Sequence, residues 1–131
     1  MVLTPNHPWI NQLEETLFLL TFPDSFTDDE LIEALSEIER VVLAMRTVYA
    51  FVVDGQHVLS VTSKQRAIYA ESQQRLIAQD EKYNVGTAFY FQSRISRGLM
   101  TAVYWLTPPC YPYKVFSSLE EAMAWAKEHL R

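Results

Sequence analysis

Asp54 and His57 are an acid and a base three positions apart across Gly55, the residue types that general acid–base chemistry uses. Spacing across a turn fixes no geometry, and no nucleophile at a defined position accompanies the pair. The simpler role for Asp54 is to end an apolar strand and accept a hydrogen bond from the turn that follows. Cys110 is the single cysteine and lies among prolines with no base nearby in sequence. A nucleophilic thiol needs a lowered pKa, so Cys110 is expected to be a small packing residue. His7 and His129 stand near the two ends of the chain. Nothing in the chain has the His, Cys and carboxylate spacing of a metal site, and neither a metal nor a cofactor is expected. Three glycines in the whole chain exclude a Gly-rich phosphate loop.

Two other groups of residues carry more. Ser60, Thr62 and Ser63 are hydroxyls at the start of an expected helix, and Arg66 lies in its first turn. Arg94 and Arg97 open a later helix. A cation at a helix start runs against the helix dipole, while the guanidinium fork suits a carboxylate or phosphate. Ser60, Thr62, Ser63, Arg66 and Arg97 therefore form a candidate patch for an anion or for a partner's acidic side chain. The competing account has the arginines pair with Asp54, Glu71 or Asp24 and brace loops. The second group is aromatic: Tyr104, Trp105, Tyr111 and Tyr113, interleaved with Pro108, Pro109 and Pro112. Tyr and Trp are enriched where partners dock, so Trp105, Tyr111 and Tyr113 are a candidate interface, with core at a sheet edge as the alternative. The acids Asp28, Asp29, Glu33, Glu37, Glu120 and Glu121 read as solvated faces and favourable N-terminal charges of helices.

The elements that must position these residues follow from pattern. Val48 to Val53 is an unbroken apolar run ending at Asp54-Gly55, as in a strand covered on both faces. The loop after it ends at Thr62, with Gln65 three residues on, a capping box opening a helix from about Thr62 to Asp80. That helix is polar, with a thin inner stripe of Ala67, Ala70 and Ile77. Before the central strand, Leu17 to Phe22 is a strand and Met1 to Leu13 an irregular arm whose Trp9 and Ile10 fold back on the body. Thr27 and Glu30 make a second capping box, flanked by Phe26 and Leu31 as a hydrophobic staple. The helix it opens buries Leu31, Leu35, Ile38, Val42 and Met45.

After the polar helix, Val85 to Phe91 is a strand and Ser93 to Leu106 a helix. Thr107 to Tyr113 is too rich in proline to be helical. Tyr113 to Phe116 is a last strand. Ser117, with Glu120 at N3, caps a final helix whose inner side is Leu119, Ala122, Met123, Ala126 and Leu130. Strands alternating with helices predict one α/β domain with a mostly parallel four-stranded sheet flanked by helices.

Composition narrows the function classes. At 131 residues the chain is long enough to bury a core without disulfides. Its net charge of −5 and scattered basic residues argue against nucleic acid as a partner. No apolar run is long enough to span a bilayer, and the N-terminus lacks a signal-peptide pattern. A lone cysteine fits a reducing cytoplasm.

The closing Lys-Val-Phe-Ser-Ser-Leu-Glu-Glu-Ala-Met-Ala-Trp-Ala (Lys114 to Ala126), together with a strand ending in Asp54 and a hydroxyl-bearing loop before a helix, resembles the STAS/SpoIIAA-like superfamily. Gly86-Thr-Ala-Phe89, Arg97-Gly98, Tyr104-Trp-Leu106 and Pro112-Tyr113 resemble uncharacterised small bacterial proteins of that type. The resemblance runs from Leu17 to Leu130. It implies a non-catalytic regulatory or protein-interaction module of the bacterial cytoplasm, with a protein partner or a second copy as ligand. A small-ligand-binding domain, for an anion or lipid-like molecule at the strand-end loops, is the alternative, and an enzyme ranks third. Anti-sigma-factor antagonists of the superfamily carry a phosphorylatable serine in a context of the type Asp-Ser-Ser-Gly. Here the matching stretch is Leu59-Ser-Val-Thr-Ser-Lys64, with no acid before the serine and no glycine after it.

Overall fold

The computed structural model describes residues 4–58, 60–91, 98 and 109–131. Five strands and three helices are found among them: β1 (Ile10–Glu14), β2 (Leu17–Thr21), α1 (Asp28–Ala44), β3 (Tyr49–Asp54), α2 (Ser63–Tyr83), β4 (Asn84–Tyr90), β5 (Tyr113–Phe116) and α3 (Leu119–His129). The strands lie in the sheet in chain order. β1 runs antiparallel to β2, and every other neighbouring pair is parallel. The expected helix 93–106, apart from Gly98, and the first two residues of the connection after it, 107 and 108, lie outside the described residues.

The sheet thus has one strand more than expected. Residues Ile10 to Glu14 form an edge strand rather than part of an irregular arm, pairing Ile10 with Leu20 and Gln12 with Phe18. Their polar side chains hid the strand, since an edge strand buries little and here only Ile10 is buried. Trp9 does fold back, its ring 5.7 Å from that of Phe22 and 5.4 Å from that of Phe26.

All six residues of β3 are buried, as a strand with neighbours on both sides and helices on both faces should be. Alternation divides the sheet's side chains between two cores. Phe18, Leu20, Phe51, Val53 and Phe89 face Leu31, Leu35, Ile38 and Val42 of α1 and Leu76 of α2. Leu17, Ala50, Val52 and Ala88 face Ala122 and Ala126 of α3. Small residues on both sides of that second core let α3 lie close. A methyl group added at Gly86 would stand 3.0 Å from the Trp125 ring.

Both expected capping boxes form. Thr27 Oγ1 accepts from Glu30 N–H at 3.1 Å while Glu30 Oε1 accepts from Thr27 N–H at 2.8 Å. Thr62 and Gln65 do the same at 3.0 and 3.1 Å. The α3 cap is one residue later than expected: Ser118, not Ser117, accepts from Glu121 N–H.

The inner side of α2 also differs. Ala67 is exposed and Ile77 half-buried, while Gln65, Ala70, Ser72, Leu76 and Asp80 are buried. The helix docks by hydrogen bonds as much as by apolar packing. Ser72 Oγ donates to Glu39 Oε2 at 3.0 Å, and Gln79 Nε2 donates to the carbonyls of Val42 and Met45 at the end of α1. Buried polar groups with partners of this kind are stable where unpaired ones would not be, and a hydrophobic stripe cannot reveal them. Among the described residues, no helix is long and apolar enough to cross a membrane.

Candidate functional site

The parallel strands β2, β3 and β4 end side by side, with Thr21, Asp54 and Tyr90 in register. Asp54 is buried, and its Oδ1 accepts from Gln56 N–H at 3.1 Å. Gly55 N–H donates to the Tyr90 carbonyl at 3.0 Å, and the Tyr90 hydroxyl donates to Gln56 Oε1 at 3.0 Å. Asp54 is therefore committed to its turn. His57 is exposed and no hydrogen bond joins it to Asp54, so the two do not form a proton-transfer pair.

From this turn the chain reaches the start of α2, which is fastened to the start of α1. Gln65 uses both ends of its amide: Oε1 completes the Thr62 cap, and Nε2 donates to the Phe26 carbonyl at 3.0 Å. Lys64 pairs with Asp28 at 3.3 Å across the same seam. Ser60, Thr62 and Ser63 are exposed along this edge. Thr62 Oγ1 is occupied by the cap. Ser63 Oγ accepts from Arg66 Nη2 at 3.0 Å, and Arg66 Nη1 donates to the Val61 carbonyl at 3.4 Å. Among the described residues Arg66 makes none of the ion pairs with Asp54, Glu71 or Asp24 that the bracing account required. Four of the five patch residues thus sit together at one edge. Arg97, like Arg94, lies outside the described residues.

The aromatic group separates. Tyr111 is buried, and its hydroxyl donates to Gln73 Oε1 of α2 at 3.4 Å. Tyr113 is 49% exposed at the start of β5, set edge-on to Phe89. Trp105 lies outside the described residues. Cys110 is exposed rather than packed. Partial burial, then the charge of Asp80, push its thiol up, which opposes thiolate formation. His7 Nδ1 accepts from Trp9 N–H, and the His129 ring lies 3.9 Å from that of Trp125, each engaged within its own terminus. Among the described residues no three His, Cys, Asp or Glu side chains are grouped to hold a metal ion.

A second polar centre lies between the sheet and the α1–α2 layer. Tyr49, the first residue of β3, donates its hydroxyl to Asp80 Oδ1 at 2.6 Å. Asn84 Nδ2 donates to the same oxygen at 3.3 Å and to Thr87 Oγ1 at 3.1 Å. Burial pushes the Asp80 carboxyl up against the lowering effect of these bonds. Burial and the neighbouring carboxylate together push the Tyr49 phenol up. Beside this centre is a cavity of about 40 Å³ walled by apolar residues such as Leu20, Ile38, Phe51 and Leu76. Sequence reasoning did not find Asp80. The available signal was Tyr49, which opens a fully buried strand and whose hydroxyl must find a partner there.

No protein-family model and no curated protein matches this sequence. Among solved structures, the chain is similar to the crystal structure of an uncharacterized protein from the DUF3478 family, with a SpoIIAA-like fold, from Shewanella loihica PV-4. The two share 14% identity with a TM-score of 0.61, over 89% of this chain and 90% of that one.

Proposed function

We propose that this chain, which has a SpoIIAA-like fold, is a non-catalytic interaction module that docks a protein partner on the edge built from the β3–α2 loop and the starts of α1 and α2. The observation that carries the reading is Gln65, whose single amide completes the α2 cap and holds the carbonyl of Phe26. This bond makes two helix starts one platform, so its exposed hydroxyls and Arg66 keep fixed positions with little ordering left to do on binding. Helix starts favour negative charge, and the Arg66 fork adds planar donors. An acidic side chain of a partner is the matching chemistry. The turn acid Asp54 is occupied by Gln56, which favours recognition over proton transfer. The alternative, a small anion taken by the same edge, would use the same donors. Tyr113 supplies a second exposed contact, and a homodimer through β5 belongs to the same proposal.

The test is affinity capture from the native cell with the wild-type chain, Ser60→Glu, Arg66→Ala and, at the far end of α2, Glu81→Lys. The expected result is a partner kept by wild type and Glu81→Lys, lost by the two edge variants, all with equal melting temperatures. If Arg66→Ala lowers the melting temperature and leaves capture per folded molecule intact, the edge is scaffolding. No protein retained by the wild type, together with binding of inorganic phosphate that Arg66→Ala abolishes, would favour the anion reading. Sedimentation at several concentrations with Tyr113→Glu tests the dimer: a chain that stays monomeric at high micromolar concentration removes it.

A further inference from the structure

Asp80 is 5% exposed, and its carboxylate is only half satisfied. Tyr49 and Asn84 both donate to Oδ1, and Oδ2 receives no hydrogen bond among the described residues. None of the ion pairs of the described residues includes Asp80. A buried carboxylate with one bare oxygen is unfavourable unless a donor, and preferably a positive charge, meets it. Asp80 lines the cavity described above together with Gln73, Thr87, Tyr69, Asn84 and Tyr111.

The lining selects the kind of donor. Among the described residues Gln73 Oε1 takes only a long bond, 3.4 Å from the Tyr111 hydroxyl, and Thr87 Oγ1, which accepts one bond from Asn84 Nδ2, has a lone pair left. The remaining wall is apolar or aromatic, which favours a cation over an anion or a neutral polar solute. At about 40 Å³ the space takes a few heavy atoms, far below the roughly 300–1,000 Å³ of a drug-sized site. Three acceptors, one formal negative charge and aromatic walls fit an –NH3+ group on a short alkyl stem.

We propose that this cavity is a binding site for a small primary ammonium ion of methylammonium or ethylammonium size, whose N–H groups complete the hydrogen bonding of Asp80 Oδ2. The site is separate from the strand-end edge: it lies on the sheet face beneath α2, and no residue of the docking platform lines it. Burial pushes the Asp80 carboxyl up, so the ionised form gains when an ammonium group arrives.

Ethylammonium chloride titrated into the 15N-labelled chain, against equal tetramethylammonium chloride, separates a hydrogen-bonded cation from a salt effect. The expected result is saturable shifts of the Asp80, Asn84 and Thr87 amides and a rise in Tm with ethylammonium alone. In Asp80→Asn the apparent affinity should fall at least about tenfold. An equal response to tetramethylammonium, no saturable shift in the wild type, or an unchanged affinity in Asp80→Asn would overturn the proposal and leave a cavity for water alone. If Asp80→Asn does not fold, the wild-type comparison of the two salts decides the matter by itself. Capture of a partner at the strand-end edge is unaffected by either result.

Discussion

The hydroxyl of Tyr49 donates to Asp80 Oδ1 at 2.6 Å, tying the first residue of β3 to the last turn of α2 across 31 positions of sequence. Both side chains are buried, Tyr49 completely. Tyr49→Phe keeps the ring and deletes the donor, leaving Asn84 alone on a desolvated carboxylate. A loss of about 1–3 kcal/mol is expected, the usual consequence of stranding a buried polar group. Urea denaturation measures it, and a change under about 0.5 kcal/mol would show that the bond adds nothing net.

Asp80 also sets a pH dependence. Its folded pKa is raised above 3.8 by burial, so the unfolded chain releases this proton first as pH rises. The contribution of Asp80 to stability is complete below the unfolded value and is lost as pH climbs through the folded one. Glu37, held down to about 2 chiefly by its bond from Arg40, and Glu39, lowered by Arg75, act in the opposite sense. Their contributions are present above the ordinary 4.5 and fade as pH falls. Tyr49 from β3 and the Cys110 thiol face Asp80, and both are pushed up, away from the acid range. The stability of the wild type minus that of Asp80→Asn should therefore decline as pH rises above about 4 and then level off. A difference that is flat, or that rises with pH, contradicts the assignment.

Gly55 leaves no room for a side chain. A Cβ built there would overlap Cε1 of Phe91, a ring that is itself 6% exposed and stacked on Phe89. Gly55→Ala must push that ring aside, at a cost of about 1–3 kcal/mol for overpacking. Thermal unfolding of Gly55→Ala alone and with Phe91→Leu checks the cause: the second change should recover part of the loss.

Phe51 occupies the middle of β3, with β2 on one side and β4 on the other. Its ring lies 5.3 Å from Phe18 and 5.9 Å from Tyr49. Phe51→Ala should cost about 3–5 kcal/mol, as expected for a buried aromatic removed from a core. A reversible denaturant titration yielding less than about 1 kcal/mol would place the strand at the periphery.

The sequence by itself determined the features that depend on neighbours within a turn or a strand. Thr27 with Glu30 and Thr62 with Gln65 mark two helix starts because the capping partners are three residues apart. The run from Val48 to Val53 marks a strand covered on both faces because no polar residue interrupts it. The stripe from Leu31 to Met45 marks the buried side of α1. Only the tertiary structure decided where polar side chains find partners. Ile10 to Glu14 became a strand because β2 offered it a ladder of backbone groups. The inner side of α2 proved polar because Glu39, Tyr49 and the Phe26 carbonyl meet Ser72, Asp80 and Gln65 there. Arg66 turned to Ser63 and the Val61 carbonyl rather than to an acid. Hydrogen bonds such as Ser72 to Glu39 and Tyr49 to Asp80 depend on how the elements dock, and the hydrophobic pattern that predicts docking carries no record of the polar contacts it brings together.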